Sequence, residues 1–529
     1  MISPPKKRRA RYRFRYRLRP APFVVWVQRF VLLGFFGVIV GGAAWAGWQG
    51  ARWVTLKVSR AIAPRPTCDV LVLGGTPAGI AAALSAARSG ASVVLVEERE
   101  HIGGDINYAM LNMFDVPFGN IKNRPPSGIF GEFYAKLGVA FDIERAQHLF
   151  DKALQAESKL RVLRKTSVKR LILEERRATG AILTSPNGAE ETVLASAIVD
   201  ATDDAEIAAR AGAGYYLGRE NANPDKRMQA AGLLFSVKEV DWNAVRAYVR
   251  HKKALSLRDL KRFKHGAAGS IDVKFENSRA LLRLGGTSGN YAWERGDVIK
   301  DYKPRGENIE VLSLNFGRQD DGTVVLNTLN VVGVNGLDAT SRQKAHDEAS
   351  REIPFLVEYL RARMPGFQNA TLHKIAPELY IRETRHIHGF YALKVADIKG
   401  DRAFYDRIAR CSYPLDLHPY EKGDSNPFGP QRHDYSLPLR ALVPRKIDGI
   451  FVASRSLSAT YSAAGSARVI PITMAAGQAA GNAASLCARE EMTPHQLVEN
   501  AAQISKLQNE LRAAGMDIGD DLVFQAAKS

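Results

Sequence analysis

A chain of 529 residues, 46% hydrophobic, can bury a large core and divide into two or three domains. Its three cysteines, Cys68, Cys411 and Cys487, show no CxxC spacing, which excludes iron–sulfur clusters, cysteine-based zinc sites and a disulfide framework, and no metal is expected. The net charge of +19 suggests a nucleic-acid partner only until it is located, because residues 1–66 hold fourteen Lys or Arg and no acid, leaving 60 basic against 55 acidic residues, or +5, for the rest.

Residues 1–29 are a basic arm whose arginines alternate with Tyr, Phe and Leu. The uncharged apolar run 30–48 follows and is long enough to span a bilayer as one helix, with Trp26, Trp45 and Trp48 near its ends where indoles favour the interface. Ten cations precede this run and four follow it closely, so the N-terminus is expected in the cytoplasm and the large domain on the non-cytoplasmic side. Ala44-Trp45-Ala46 offers the alternative of a cleaved signal peptide, but the apolar run is long for one, and an uncleaved single-pass anchor is favoured. Beside a span, the basic arm meets anionic lipid rather than nucleic acid. No clean twin-arginine signal is present.

A linker, 49–66, leads to the stretch richest in information. Val70, Leu71, Val72 and Leu73 suit a buried parallel strand, Gly74, Gly75, Thr76, Pro77, Ala78 and Gly79 make a sharp turn into an alanine-rich helix, and 93–96 forms a second strand before Glu97. This is a dinucleotide-binding βαβ unit, with the helix N-terminus presented to a pyrophosphate and the acid to ribose hydroxyls. Thr76 occupies the second glycine position of the usual GxGxxG pattern; strand, turn, helix, strand and acid in order restore the assignment. The paired Gly103 and Gly104 would admit a ligand close to the backbone.

Helices are expected around 131–137 and 145–158, and short strands at 160–163, 168–174 and 178–184. The strand 197–199 runs into Asp200-Ala201-Thr202-Asp203-Asp204 and a helix over 205–211. Mixed strands and helices then extend from 214 to 439, with a strand at 323–332 and a helix at 341–363, and are taken as an inserted α+β substrate domain. The nucleotide fold resumes at 447–453 and closes on an alanine-rich helix over 472–488. The expected organisation is therefore an α/β, Rossmann-like cofactor domain split into 67–213 and 440–490, the insertion 214–439 between its parts, and a helical tail 491–529. Gly285-Gly286-Thr287-Ser288-Gly289 echoes the first turn but is not followed by an apolar helix, which argues against a second, nicotinamide site.

These residues together resemble the FAD-dependent oxidoreductases whose nucleotide fold is like that of glutathione reductase and the fumarate reductase flavoprotein. Four stretches carry the resemblance over residues 67 to about 490: 74–79 with Glu97, Gly103-Gly104, 200–204, and 453–481; the segments 382–389 and 412–418 look like that family's middle signatures. The resemblance implies that Gly74, Gly75, Thr76, Ala78 and Gly79 hold the FAD pyrophosphate and Glu97 the adenosine ribose. Gly103 and Gly104 would lie toward the flavin, and Ala201, Thr202 and Asp204 in the adenine-side loop. Arg455 and the segment 466–471 from Ser466 would pass the ribityl chain, and Gly477 and Gln478 belong to a helix approaching the isoalloxazine. Asp203 departs from the family's usual glycine and would bring an acid close to a phosphate unless it points away.

Flavin chemistry moves a hydride at ring N5, and the protein supplies orientation with an acid, base or anion clamp. Arg382 and Arg385 are candidates for holding a carboxylate or oxyanion, His386, His388 and His418 for proton transfer, and Tyr413 with Asp416 for orienting them. Each also has a plain structural reading, as a paired arginine or a core histidine. His101 raises a covalent flavin link, although its spacing differs from the histidine of fumarate reductase-like proteins. Two functions follow: a membrane-tethered flavoenzyme acting on a small or lipid-borne substrate with a quinone or other mobile acceptor, or a flavin-binding protein with a structural cofactor and an interaction role for the insertion.

Overall fold

A computed structural model describes residues 66–116, 126–248, 280–283, 291–294, 298–429 and 432–519. The basic arm, the expected span 30–48 and the glycine decoy 285–289 lie outside them. Among the described residues no helix is long and apolar enough to cross a membrane. The described chain, from Pro66 onward, falls in one compact unit of mixed α/β structure.

Its organising element is a sheet whose central strands are buried on both faces. Strands β1 (Cys68–Leu73) and β2 (Val93–Val96) are near-continuous aliphatic runs, as a strand covered on both sides requires. β3 (Leu160–Leu163), β4 (Ser167–Glu174), β5 (Arg177–Thr184) and β6 (Glu190–Asp200) follow, and β7 (Ile450–Val452) returns to the sheet from far along the chain. The parallel order is β3-β2-β1-β6-β7, while the first half of β6 pairs antiparallel with β5 and β5 with β4. Register aligns Leu73 with Val96 on one side and Asp200 on the other, and Val452 with Asp200. The carboxyl ends of four strands therefore meet at one edge, where open α/β sheets bind ligands.

Helix α1 (Pro77–Arg88) begins at that edge. Thr76 caps it, its Oγ1 accepting from Gly79 N–H at 3.2 Å and donating to the Ala201 carbonyl at 2.8 Å, and Pro77 stands at the first helical position, where a missing N–H is harmless. The residue that breaks the glycine pattern thus ties the first turn to the end of β6. Thr76→Ala is expected to cost about 1 kcal/mol of stability, the usual value of such a cap, measured by urea unfolding; an unchanged midpoint would show the cap to be dispensable. The following segment lies over the same turn, with Gly103 N–H donating to the Gly75 carbonyl at 2.6 Å.

A second, antiparallel sheet is built from 231 onward, in the order Thr371–Ile375, Ala231–Lys238, Val324–Val331, Leu314–Arg318, Tyr291–Glu294, Ala280–Arg283. Helix α2 (Ala339–Arg363) covers it through Ile353, Leu356 and Leu360, which recur at helical spacing, with Ala345 and Ala349 allowing close approach. Asp338 caps this helix by accepting from Ser341 N–H. The chain then closes with α3 (Ile470–Arg489), which packs along α1. A Cβ at Gly477 would lie 2.1 Å from the Ala78 carbonyl oxygen and one at Gly481 2.2 Å from that of Ala82, so the two helices touch backbone to backbone.

Candidate functional site

The strand ends open on a cavity of about 910 Å³, a size that suits a dinucleotide. From the first turn and β2 come Gly74, Thr76, Glu97 and Arg99; from the loop after β6, Thr202, Asp203 and Asp204; from farther along, Arg385 and Arg455; and Arg342 and His346 of α2 face them across the opening. A narrower compartment of about 20 Å³ continues inward, sharing Thr76, Asp105, Asp203 and Arg455, and ends on Tyr380, Arg382, Arg468, Ile470 and Thr473.

The outer part is a backbone cradle. Gly74 has φ +105°, and a Cβ there would come within 2.7 Å of the Ala201 and Thr202 backbone, so only glycine permits the turn. Glu97 is buried, its Oε2 accepting from Gly75 N–H at 2.7 Å and its Oε1 from Arg99 N–H and Nε at 3.0 and 2.9 Å. An ionised carboxylate has about four acceptor sites, so one remains for a ribose hydroxyl. Asp200 organises the next loop: it accepts from Thr202 N–H and Oγ1 and from Ala208 N–H, and burial lifts its pKa to about 6.

At the throat, Arg455 lies among three acids, with Nη2 2.8 Å from Asp204 and Nη1 3.3 and 3.8 Å from Asp105 and Asp203. Asp203 does not point away from the crevice, and Asp105 joins it there. Burial raises the pKa of both, and Asp105 reaches about 7, whereas Arg455 holds Asp204 below its ordinary value. The Arg455 Nε is buried without a partner, a donor left over for an acceptor in the crevice.

The inner end is a second charged cluster. Arg468 donates to Asp416 Oδ2 at 2.8 Å and to the Tyr380 hydroxyl at 3.0 Å, and His418 Nε2 lies 3.4 Å from the same carboxylate oxygen. His418 Nδ1 meets Asn330 Oδ1 at 3.2 Å, and Tyr413 donates to Asp115 at 3.0 Å. Burial and the nearby Arg382 push His418 down to about 4, so it is neutral near pH 7, while Arg468 and His418 hold Asp416 below the ordinary carboxylate range.

Of the residues singled out from sequence, Gly74, Thr76, Ala78, Glu97, Thr202, Asp204, Arg455, Arg382 and Arg385 line the crevice. Gly75, Gly79, Gly103, Gly104 and Ala201 shape the turns beneath it. The others are elsewhere. Ser466 is fully buried, its Oγ hydrogen-bonded to the Tyr413 carbonyl and the Tyr435 hydroxyl. Gly477 faces α1, and Gln478 accepts from Ile129 N–H at 2.8 Å at the start of the helix Gly128–Leu137. His386 is buried against Glu383 at 2.8 Å, and His388 packs edge-on against Tyr216, because the strand Arg385–Ile387 sends neighbouring side chains to opposite faces and only Arg385 reaches the cavity. Tyr413 and His418 line neither compartment; they contact Asp115 and Asp416. His101 is exposed and lines neither compartment.

Asp105, Asp115 and Tyr380 were not singled out from sequence, whereas Arg468 and Ile470 fall within the segment 466–471 that was, and both line the inner compartment.

Comparison with known proteins agrees with a flavin site. Residues 69–511 match the model of a family described as FAD dependent oxidoreductase. No curated protein matches. Among solved structures, a geranylgeranyl bacteriochlorophyll reductase-like protein from Thermoplasma acidophilum is 12% identical over 85% of this chain and 84% of its own, with a TM-score of 0.40. The myxobacterial chondrochloren halogenase, an FAD-dependent halogenase, is 13% identical over 86% and 83%, also at 0.40. A p-nitrophenol 4-monooxygenase from Pseudomonas putida is 10% identical over 61% and 69%, at 0.32.

Proposed function

The chain belongs to the FAD-dependent oxidoreductase family, and on that premise we propose that it is tethered to a membrane by residues 30–48 and passes a hydride between a small or lipid-borne substrate and its flavin, with a quinone or other mobile acceptor closing the cycle. FAD is the cofactor, and the protein is an oxidoreductase. The observation that carries the site assignment is the crevice itself, which runs from the Glu97 ribose position past the Gly74 turn to a buried cluster of Arg382, Arg468 and Tyr380.

The residues present fit this cofactor. Gly74, Thr76 and Ala78 offer backbone and a helix N-terminus to a pyrophosphate, and Glu97 keeps an acceptor site for ribose. The unpartnered Nε atoms of Arg455 and Arg468 leave donors along the inner path. Bound FAD supplies the two-electron chemistry. The chain supplies the rest: Arg382 lies where a substrate can be held, and Arg468 fixes the Tyr380 hydroxyl and Asp416, with His418 beside that carboxylate.

Two features of the N-terminal sequence support the location and the acceptor: an uncharged run long enough to span, and ten cations before it that favour a cytoplasmic N-terminus with the FAD domain on the other side. A tether of this kind puts the enzyme within reach of a hydrophobic acceptor and of anionic lipid at the basic arm.

Anaerobic mixing with a candidate substrate is expected to bleach the visible flavin band of the purified protein, and quinone analogues are expected to restore it faster than water-soluble dyes. A flavin that dithionite reduces but no substrate bleaches would favour a structural cofactor. Equal reoxidation by dyes and quinones would remove the quinone from the scheme. Protease applied to the non-cytoplasmic face of the membrane is expected to cleave the FAD domain, and protection of the domain there would reverse the orientation.

A further inference from the structure

The inner cluster contains a buried arginine that makes no ion pair among the described residues, and this names the kind of substrate, given the FAD-dependent reading above. Arg455 is paired with Asp204 and Asp105, and Arg468 with Asp416. Arg382 is 3% exposed and forms no ion pair among the described residues. Its Nη1 donates to the Ala230 carbonyl at 2.7 Å, its guanidinium lies 4.8 Å from the centre of the Tyr380 ring, and its Nε is buried with no acceptor.

The nearby acids do not supply its counter-ion. Asp416 is paired with Arg468 and His418, and Asp115 accepts from Tyr413; neither makes an ion pair with Arg382. Arg382 itself remains a cation near neutral pH, since burial and Arg468 lower its pKa only to about 10. A buried cation without a partner is costly, and proteins retain one where a ligand completes the pair.

The shape of the guanidinium selects among anions. A guanidinium fork matches the two coplanar oxygens of a carboxylate, and Arg382 lines the inner compartment together with Tyr380 and Arg468. The phosphates of FAD have their own cradle at Gly74 to Ala78. Arg385 is no alternative, because it faces the outer cavity, with its guanidinium over Tyr215, and does not line the inner compartment.

We propose that the substrate is a small carboxylic acid whose carboxylate is the missing counter-ion of Arg382. Binding there desolvates and fixes the acid end of the molecule at the inner end of the crevice, leaving its oxidisable or reducible carbon toward the cofactor path.

The test uses the full chain loaded with FAD. Acetate, glycolate, succinate and benzoate are titrated against the visible flavin spectrum, with acetamide and benzamide as uncharged counterparts. At least one carboxylate is expected to shift the spectrum saturably while the amides do not. Arg382→Met is expected to weaken that carboxylate at least ten-fold with FAD content unchanged, and Arg382→Lys, which keeps the charge but not the fork, to fall between. No response to any carboxylate, or unchanged affinity in Arg382→Met, overturns the proposal. A shifted flavin reduction potential in Arg382→Met with carboxylate affinity intact also overturns it and assigns the arginine to the flavin. If Arg382→Met fails to fold, wild-type affinity in Arg382→Lys overturns it. A protein that binds no FAD, or whose FAD dithionite cannot reduce, fails the underlying reading instead.

Discussion

Gly477→Leu is expected to strip FAD from the purified protein and to destabilise it by at least about 3 kcal/mol, the upper range for forcing a large side chain into a packed core. The reason lies in the contact between the first and last helices of the cofactor fold. Both are buried along nearly their whole length, and at Gly477 and Gly481 the backbone of α3 approaches the carbonyls of Ala78 and Ala82 to about 2 Å from where a Cβ would stand. A carbonyl in a helix cannot yield without breaking its own hydrogen bond, so α1 must move as a body. Its first turn holds the pyrophosphate cradle at Thr76 to Gly79, and a shift there spoils cofactor binding far from the mutated residue. Thermal melting with FAD stoichiometry measures both effects together. A variant that keeps full FAD while losing stability would show that the two helices pack independently of the cradle.

FAD affinity is expected to be greatest below about pH 7 and to fall above it, by up to about ten-fold per pH unit for one linked proton. Asp105 and Asp203 face the pyrophosphate path together with Asp204, Glu97, Arg99, Arg385 and Arg455. Asp204 is held ionised by Arg455, but burial raises Asp203, and raises Asp105 to about 7. A raised carboxyl disfavours its charged form. An incoming diphosphate disfavours it further, so the complex retains a proton that the free protein has lost above pH 7. The same sign governs folding: these acids oppose the folded state increasingly as pH rises from their ordinary value of 3.8 through the raised one. Asp105→Asn is therefore expected to flatten the affinity profile and to raise the melting temperature on the alkaline side. Flavin fluorescence titrations between about pH 6 and about pH 9 measure the slope. An equally steep fall in Asp105→Asn would move the linkage to Asp203.

The two largest effects differ in how far a sequence could anticipate them. Asp203 stands out in the chain as an acid beside a phosphate loop, and whether it faces the ligand was the open question; the crevice answers that it does, with Asp105 added from the segment after Gly104. Gly477 and Gly481 stand out as small residues on a helix, but their partner helix begins some four hundred residues earlier, and a packing contact carries no mark of its partner in the local pattern. Gln478 has the same history: its position suggests a flavin neighbour, and its side chain instead secures the start of the helix Gly128–Leu137.

The histidines make the converse point. His386 and His388 cluster with two arginines along the chain, yet a strand separates neighbours onto opposite faces, so of 385, 386 and 388 only the arginine reaches the cavity. His418, farther away in sequence, is drawn to Asp416 and Arg468 at the inner cluster.

What the sequence determined by itself is the cofactor turn. Its signals, aliphatic strands, glycines where a Cβ cannot fit, a capped helix and a terminal acid, all lie between Cys68 and Glu97 and act over a few residues. Tertiary structure alone decided the charge balance inside the crevice. Asp105, Asp115, Arg382, Asp416, Arg455 and Arg468 come from separate segments, and which cation is paired and which is left waiting depends on distances of a few ångströms between side chains that only the folded chain brings together.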